Sequence, residues 1–231
     1  MKILAIDCSA GPASCAILED DTILASAFCN VKLTHSETLM PMIKSTLSSA
    51  KLSLDDIDAF AVNNGPGSFT GIRIGISLIK GLALAQNKPC IPVSTLESIA
   101  SLFGNFDGVV CAVMDARCNQ VYNALFSLKN GEISRLCDDR ALSTDEVKSE
   151  LQGLDNDIII SGDGANLFDT FCDLHNNIQI ASEPYRYQNA IGTAMIALRK
   201  FKNNEFLNSD SLMPFYLRLP QAERELKSKR G

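Results

Sequence analysis

The chain has 231 residues, 46% of them apolar, enough to bury one large core or two small ones. Its 21 Lys and Arg against 27 Asp and Glu leave a net charge of −6. No long basic run is present, which argues against a stand-alone nucleic-acid binder, because phosphate binding needs clustered positive charge. The eight cysteines form no CxxC and no zinc-ribbon spacing, and several lie in apolar runs such as VVCAV (Val109–Val113). They read as buried, reduced thiols of a cytoplasmic protein.

In chain order, three β-like runs come first: Lys2–Cys8, Ser14–Glu19 and Thr22–Cys29. Turn-rich breaks of hairpin length separate them and predict an antiparallel meander. The opening MKILAID has a short apolar run interrupted by Asp7, so it reads as a strand and not as a signal peptide. No apolar stretch reaches transmembrane length. A helix follows over Ser36–Ala50, with Leu39, Ile43, Leu47 and Ala50 as its apolar stripe, Ser36 as its expected cap and Pro41 in its first turns. Then come a buried-type strand (Ala59–Asn63), a helix over Phe69–Gln86, a strand (Pro89–Val93) and a helix over Thr95–Phe103. The order βββαβα, then β, is by analogy the ribonuclease H-like core of actin, hexokinase and Hsp70 ATPase domains.

The second half begins again with strands at Gly108–Asp115, Gln120–Leu128 and Glu132–Cys137. A helix at Thr144–Leu151, a strand at Asp157–Ser161 and a helix at Ala165–Leu174 follow. The expected architecture is therefore α/β, with two ribonuclease H-like lobes, 1–103 and a degenerate 104–189. A helix over Ala190–Lys202 is expected to return to the first lobe, and 203–231 is a C-terminal segment. From Arg218 onward that segment holds five Lys/Arg against two Glu and reads as a solvated, mobile tail.

Three stretches carry chemistry. In AIDCSAG (Ala5–Gly11), Asp7 is placed to hold a metal-bound water and Ser9 to touch phosphate; the same residues also suit a plain strand end. In GPGSFTGIRIG (Gly65–Gly75), four glycines fall within eleven residues between a strand and a helix. Gly65 and Gly67 permit positive φ, and backbone N–H groups at such a turn can cradle an anion. A tight strand-to-helix turn explains the glycines equally well, and no P-loop Gly-Lys-Ser/Thr follows. The helix after it has two apolar stripes, Ile72/Ile76/Ile79/Ala83 and Ile74/Leu78/Leu82/Ala85, where a surface helix needs one. Either a second lobe or a separate subunit covers the second stripe. SGDGAN (Ser161–Asn166) resembles the place where ATP-binding relatives of this fold hold adenosine on a Gly-Gly turn, but here Asp163 separates the glycines, which speaks against a nucleotide site in the chain's own cleft.

HSE (His35–Glu37), the LMPMI after it, GPGSFTGIRIG, KGLALA (Lys80–Ala85), VSTLES (Val93–Ser98), MDAR (Met114–Arg117) and PFYLR (Pro214–Arg218) together resemble the TsaB, or YeaZ, family in order and spacing. The likeness is dense over residues 1–128 and loose beyond. It implies a non-catalytic subunit of the complex that forms N6-threonylcarbamoyladenosine beside the tRNA anticodon. The implied partners are the catalytic subunit TsaD, the ATPase TsaE and tRNA through the complex, with a homodimer when alone. TsaD shares the fold and carries an Asn-His-Leu-Glu-Gly-His element; Thr95 and Ile99 stand here where its two metal-binding histidines would be. No metal is expected at that pair, and no cofactor of the chain's own, with ATP or ADP at the complex interface. The resemblance places partner contacts at His35, Leu39, Met40, Ile43 and Leu47 of the first helix and at Ile72, Arg73, Ile76, Ser77 and Lys80 of the second. His35 reads equally as a helix cap. The rival reading is a stand-alone ATP-dependent small-molecule kinase or ATPase, using Asp7, Ser9, Gly65 and Gly67 as its phosphate site.

Overall fold

The computed structural model describes residues 1–31 and 33–218. The expected basic tail lies outside the described residues from 219 onward.

The first sheet is built from β1 (Lys2–Asp7), β2 (Ala13–Glu19), β3 (Thr22–Cys29), β4 (Ala59–Gly65) and β5 (Cys90–Ser94), in the order β3-β2-β1-β4-β5. β1 pairs antiparallel with β2 and parallel with β4, as the hairpin-length and crossover-length connections require. Helices α1 (His35–Ala50) and α2 (Phe69–Gln86) cover one face. Their apolar stripes meet Leu4, Ile6, Cys15, Ile17, Phe60 and Val62 in a buried cluster. Thr34, not Ser36, starts α1: Glu37 turns back so that Thr34 N–H and Oγ1 both donate to its carboxylate, at 3.3 and 2.6 Å. α3 (Thr95–Ser101) leaves the end of β5, with Ser94 accepting the Glu97 N–H at its start.

The second sheet repeats the topology. β6 (Gly108–Asp115), β7 (Gln120–Lys129), β8 (Glu132–Arg135), β10 (Ile158–Ser161) and β11 (Ile178–Ile180) lie in the order β11-β10-β6-β7-β8. β9 (Arg140–Ser143) pairs with β7 as well, so the counterpart of β3 is split in two. The last two strands are four and three residues long. α4 (Thr144–Gln152) packs Val147 and Leu151 onto this sheet. The helix expected over Ala165–Leu174 is a 3-10 turn (Ala165–Phe168) running into the short α5 (Asp169–Cys172). β9, β11 and the one-turn α6 (Glu183–Arg186) are findings the periodicity did not anticipate. α7 (Ala190–Lys202) packs Ala190, Ala194 and Ala197 on the other face of the first sheet.

The lobes share a core. Ala10, Leu96, Ile99 and Ala100 pack against Val110, Ala112, Met114, Ala124 and Phe126. No described helix is long and apolar enough to cross a membrane.

Candidate functional site

At the end of β4 the chain turns through Gly65, Pro66 and Gly67 into α2, and it does so in very close quarters. A Cβ on Gly65 (φ +136) would lie 2.1 Å from the Phe215 carbonyl oxygen. One on Gly71 would lie 2.1 Å from the Cys8 carbonyl oxygen. The glycines thus let α2 and the C-terminal segment press against the ends of β1 and β4. The turn's own donor is already used: Ser68 N–H donates to the Ser9 carbonyl at 2.6 Å. Ser68 Oγ caps α2 by accepting from Gly71 N–H.

Beneath the turn lies a buried polar group. Asp7 Oδ1 accepts the Ser9 N–H at 2.8 Å, while Asp7 Oδ2, Ser9 Oγ and Asn63 Nδ2 have no partner in full hydrogen-bond geometry. Burial pushes the Asp7 carboxyl above the usual carboxylate range; Ser9, Asn63 and His35 pull it partly back. His35 Nε2–H donates to the Ala10 carbonyl at 2.9 Å, tying α1 to the hairpin after β1.

Between the lobes is a cleft of about 460 Å³. Ser9 and Gly67 line it; Asp7 and Gly65 do not. Its other walls come from Asp115, Arg117, Tyr122, Asp163 and the strap Phe215–Arg218. The motifs MDAR and PFYLR and the break at Asp163 mark most of these in the sequence without assigning them to a site, and Tyr122 carries no such mark. The strap is pinned along its length. Leu207 pairs with Cys90 on the edge of β5, Leu212 is fully buried, and Lys80 Nζ donates to the Asp210 carbonyl at 3.2 Å. Phe215 N–H donates to Asn64 O at 2.7 Å. Tyr216 stacks on Phe69 at 4.7 Å and accepts from Arg73 Nε at 2.8 Å. Arg218 donates to the Ala116 carbonyl across the cleft. Opposite, Asp163 Oδ1 accepts from Gln188 and from Asp115 N–H. Burial, with a smaller push from Asp115, raises the Asp163 carboxyl to about 6.

The residues expected to meet a partner divide sharply. Leu39, Ile43, Leu47, Ile72 and Ile76 are at most 7% exposed and sit in the chain's own core, so no partner can touch them. The expectation is corrected there: a stripe that fills the space under two helices is spent on the sheet below. Met40 is partly buried against the same cluster. Arg73 and Lys80 are engaged by the strap, and Ser77 is exposed. What remains open is a groove of about 540 Å³ at the head of α1 and α2, lined by Val31, Leu33, His35, Thr70, Gly71 and Ile74. Val31 and Leu33 are 54% and 58% exposed, and only their apolar character could have signalled them.

Thr95 and Ile99 are both fully buried, Ile99 in the core shared by the lobes, and neither lines the cleft. His175, the other histidine, packs on Phe171 and bonds to its carbonyl.

A family model described as TsaD, tRNA N6-adenosine threonylcarbamoyltransferase, matches residues 29–225. The tRNA threonylcarbamoyladenosine biosynthesis protein TsaB of Bacillus subtilis (strain 168) is 32% identical over 230 residues, covering 96% of each chain. YeaZ from Pseudomonas aeruginosa superposes with a TM-score of 0.79 at 26% identity, over 94% of this chain and 99% of that one. Component A of the (R)-2-hydroxyglutaryl-CoA dehydratase of Acidaminococcus fermentans shares the fold, with a TM-score of 0.50 at 15% identity over 87% and 98% of the two chains. The fold is thus that of the actin-like ATPase group, and the chain belongs to the TsaB (YeaZ) family, whose members are named for tRNA threonylcarbamoyladenosine biosynthesis.

Proposed function

We propose that this chain is the non-catalytic subunit that pairs with a threonylcarbamoyltransferase of the TsaD kind and positions it for transfer to the tRNA adenosine beside the anticodon. The observation that carries this reading is the fate of Thr95 and Ile99. They occupy the place where the family resemblance puts the transferase's histidine pair, yet both are fully buried, Ile99 inside the contact between lobes. Neither side chain has an imidazole to offer, and neither reaches the cleft.

Partner binding is assigned to the groove at the head of α1 and α2. Two large apolar side chains held more than half in water, beside Ile74, are the kind of surface that association covers. Self-association of the chain alone would use the same groove. A nucleotide site of the chain's own is disfavoured by geometry: the Phe215 carbonyl fills the space above Gly65, and the Ser68 N–H is spent on Ser9. ATP or ADP would then bind where the partner completes the site, with a TsaE-type ATPase joining the pair in the cytoplasm. The kinase or ATPase rival needs that turn open.

The test is co-purification with the transferase of the same organism, together with mass spectrometry of tRNA nucleosides after depletion. The reading expects a stable pair and loss of threonylcarbamoyladenosine. Unchanged nucleosides, or magnesium-ATP turnover by the purified chain alone, would overturn it.

A further inference from the structure

Three of the seven arginines among the described residues are neutralised in place. Arg135, Arg140 and Arg199 each pair with a carboxylate. Arg73, Arg117, Arg186 and Arg218 have no carboxylate partner among the described residues. Arg117 and Arg218 line the interlobe cleft, Arg73 reaches its rim through Tyr216, and Arg186 lies elsewhere, bonded to Asn166 and the Ala181 carbonyl. Three aromatic rings lie among Arg73, Arg117 and Arg218. The Arg73 guanidinium sits 3.8 Å above the Phe69 ring, Phe69 stacks on Tyr216, and Phe215 follows in the strap. Phe215 is 45% and Tyr216 37% exposed, although the Phe215 backbone is bonded to Asn64 and the Tyr216 side chain to Arg73.

Phe215 N–H bonds to Asn64 and its carbonyl closes on Gly65, so the backbone of this residue is used inward while part of the side chain stays in water. Arg117 opens a run of three left-handed residues (φ 64, 54 and 56) at the tip between β6 and β7, its N–H bonded to Asp115 at 2.7 Å. That conformation is costly for side chains with a Cβ.

We propose that this patch binds single-stranded RNA directly, with unstacked bases lying on Phe215 and Tyr216 and phosphates meeting Arg117 and Arg218. Exposed aromatic faces accept any base, and nearby guanidinium groups supply charge without demanding a sequence. The chain's overall −6 is no obstacle, because at physiological salt a phosphate senses charges within about 8 Å. The proposal rests on the RNA-modifying role above for its biological RNA, but its chemistry stands apart from the groove.

The test uses fluorescence anisotropy with a labelled single-stranded RNA oligonucleotide on the purified chain, and with unmodified tRNA on the assembled complex. Phe215→Ala and Arg117→Ala should each weaken binding, roughly three- to tenfold. Arg117→Ala should also lower the salt slope by about one, whereas Phe215→Ala should leave the slope unchanged. Pairing with the transferase should be unaffected by either. Binding by both variants equal to wild type would overturn the proposal. So would variants that weaken pairing but leave RNA affinity intact, since the patch would then be a protein interface. If no complex forms, the role proposed above fails, and the oligonucleotide arm still decides this one.

Discussion

The two sides of the glycine turn form one wall with two unlike faces. Gly11 and Ser68 belong both to the interlobe cleft and to the groove at the head of α1 and α2. On the cleft side the wall meets Asp115, Arg117, Asp163 and a strap that already occupies the mouth. On the groove side it meets Val31, Leu33 and Ile74, and no described element covers them. In a nucleotide-using relative of this fold the cleft would be the working side. Here a strap lies across the mouth of the cleft while the groove lies open, and the proposed role in association rests on that difference.

The largest effect expected is from breaking the wall itself. Ile76→Glu or Leu39→Glu places a carboxylate in the core under α1 and α2, where it has no partner. A loss of more than about 4 kcal/mol is expected, so the protein unfolds before pairing can be measured. Urea denaturation followed by circular dichroism checks this. A folded Ile76→Glu variant that merely pairs badly would show that α2 faces the other way.

Next is Gly71→Ala. Its Cβ would meet the Cys8 carbonyl at 2.1 Å, and backbone on both sides cannot yield cheaply. Destabilisation of about 3 kcal/mol is expected, read as a shift of the denaturation midpoint. The groove can be struck alone with Val31→Asp/Leu33→Asp. Both side chains are exposed, so stability should hold while affinity for the transferase falls about 100-fold, or roughly 3 kcal/mol, by calorimetry.

The smallest effect sharpens the cleft side. Asp163 ionises at about 6 in the folded chain against 3.8 ordinarily, so the folded state holds its proton longer. Stability should therefore fall as pH rises from 3.8 to about 6, and the penalty should persist above that. Asp163→Asn keeps an acceptor for Gln188 and Asp115 N–H and removes the charge. The variant should melt a few degrees higher at pH 7 and show a flatter pH profile across that window. A lower melting temperature would mean that the carboxylate is held by a favourable contact.

Much of this was legible in the sequence, because it is local. The helices over Ser36–Ala50 and Phe69–Gln86 follow from 3.6-residue periodicity, and the turn between β4 and α2 follows from its glycines. The strap's contacts were not legible. Tyr216 reaches Arg73 across 143 positions, and Asn64 reaches Met213 across 149, with no periodic signal linking them. The stripes on α1 and α2 show that something covers them, but pattern alone cannot separate the chain's own sheet from a partner's helix. In the second lobe the four-residue β10 shows itself as an unbroken apolar run, whereas β9 (RALS) and β11 (IQI) have neither such a run nor the length for alternation to register.

The central claim, that this chain acts by pairing and not by catalysis, is tested most directly by reconstituting threonylcarbamoyladenosine formation on unmodified tRNA with purified proteins. The account predicts no product from this chain alone, product when the transferase and its ATPase partner are added, and loss of product with Val31→Asp/Leu33→Asp. Product made by this chain alone, or full activity from the folded groove variant, would contradict it.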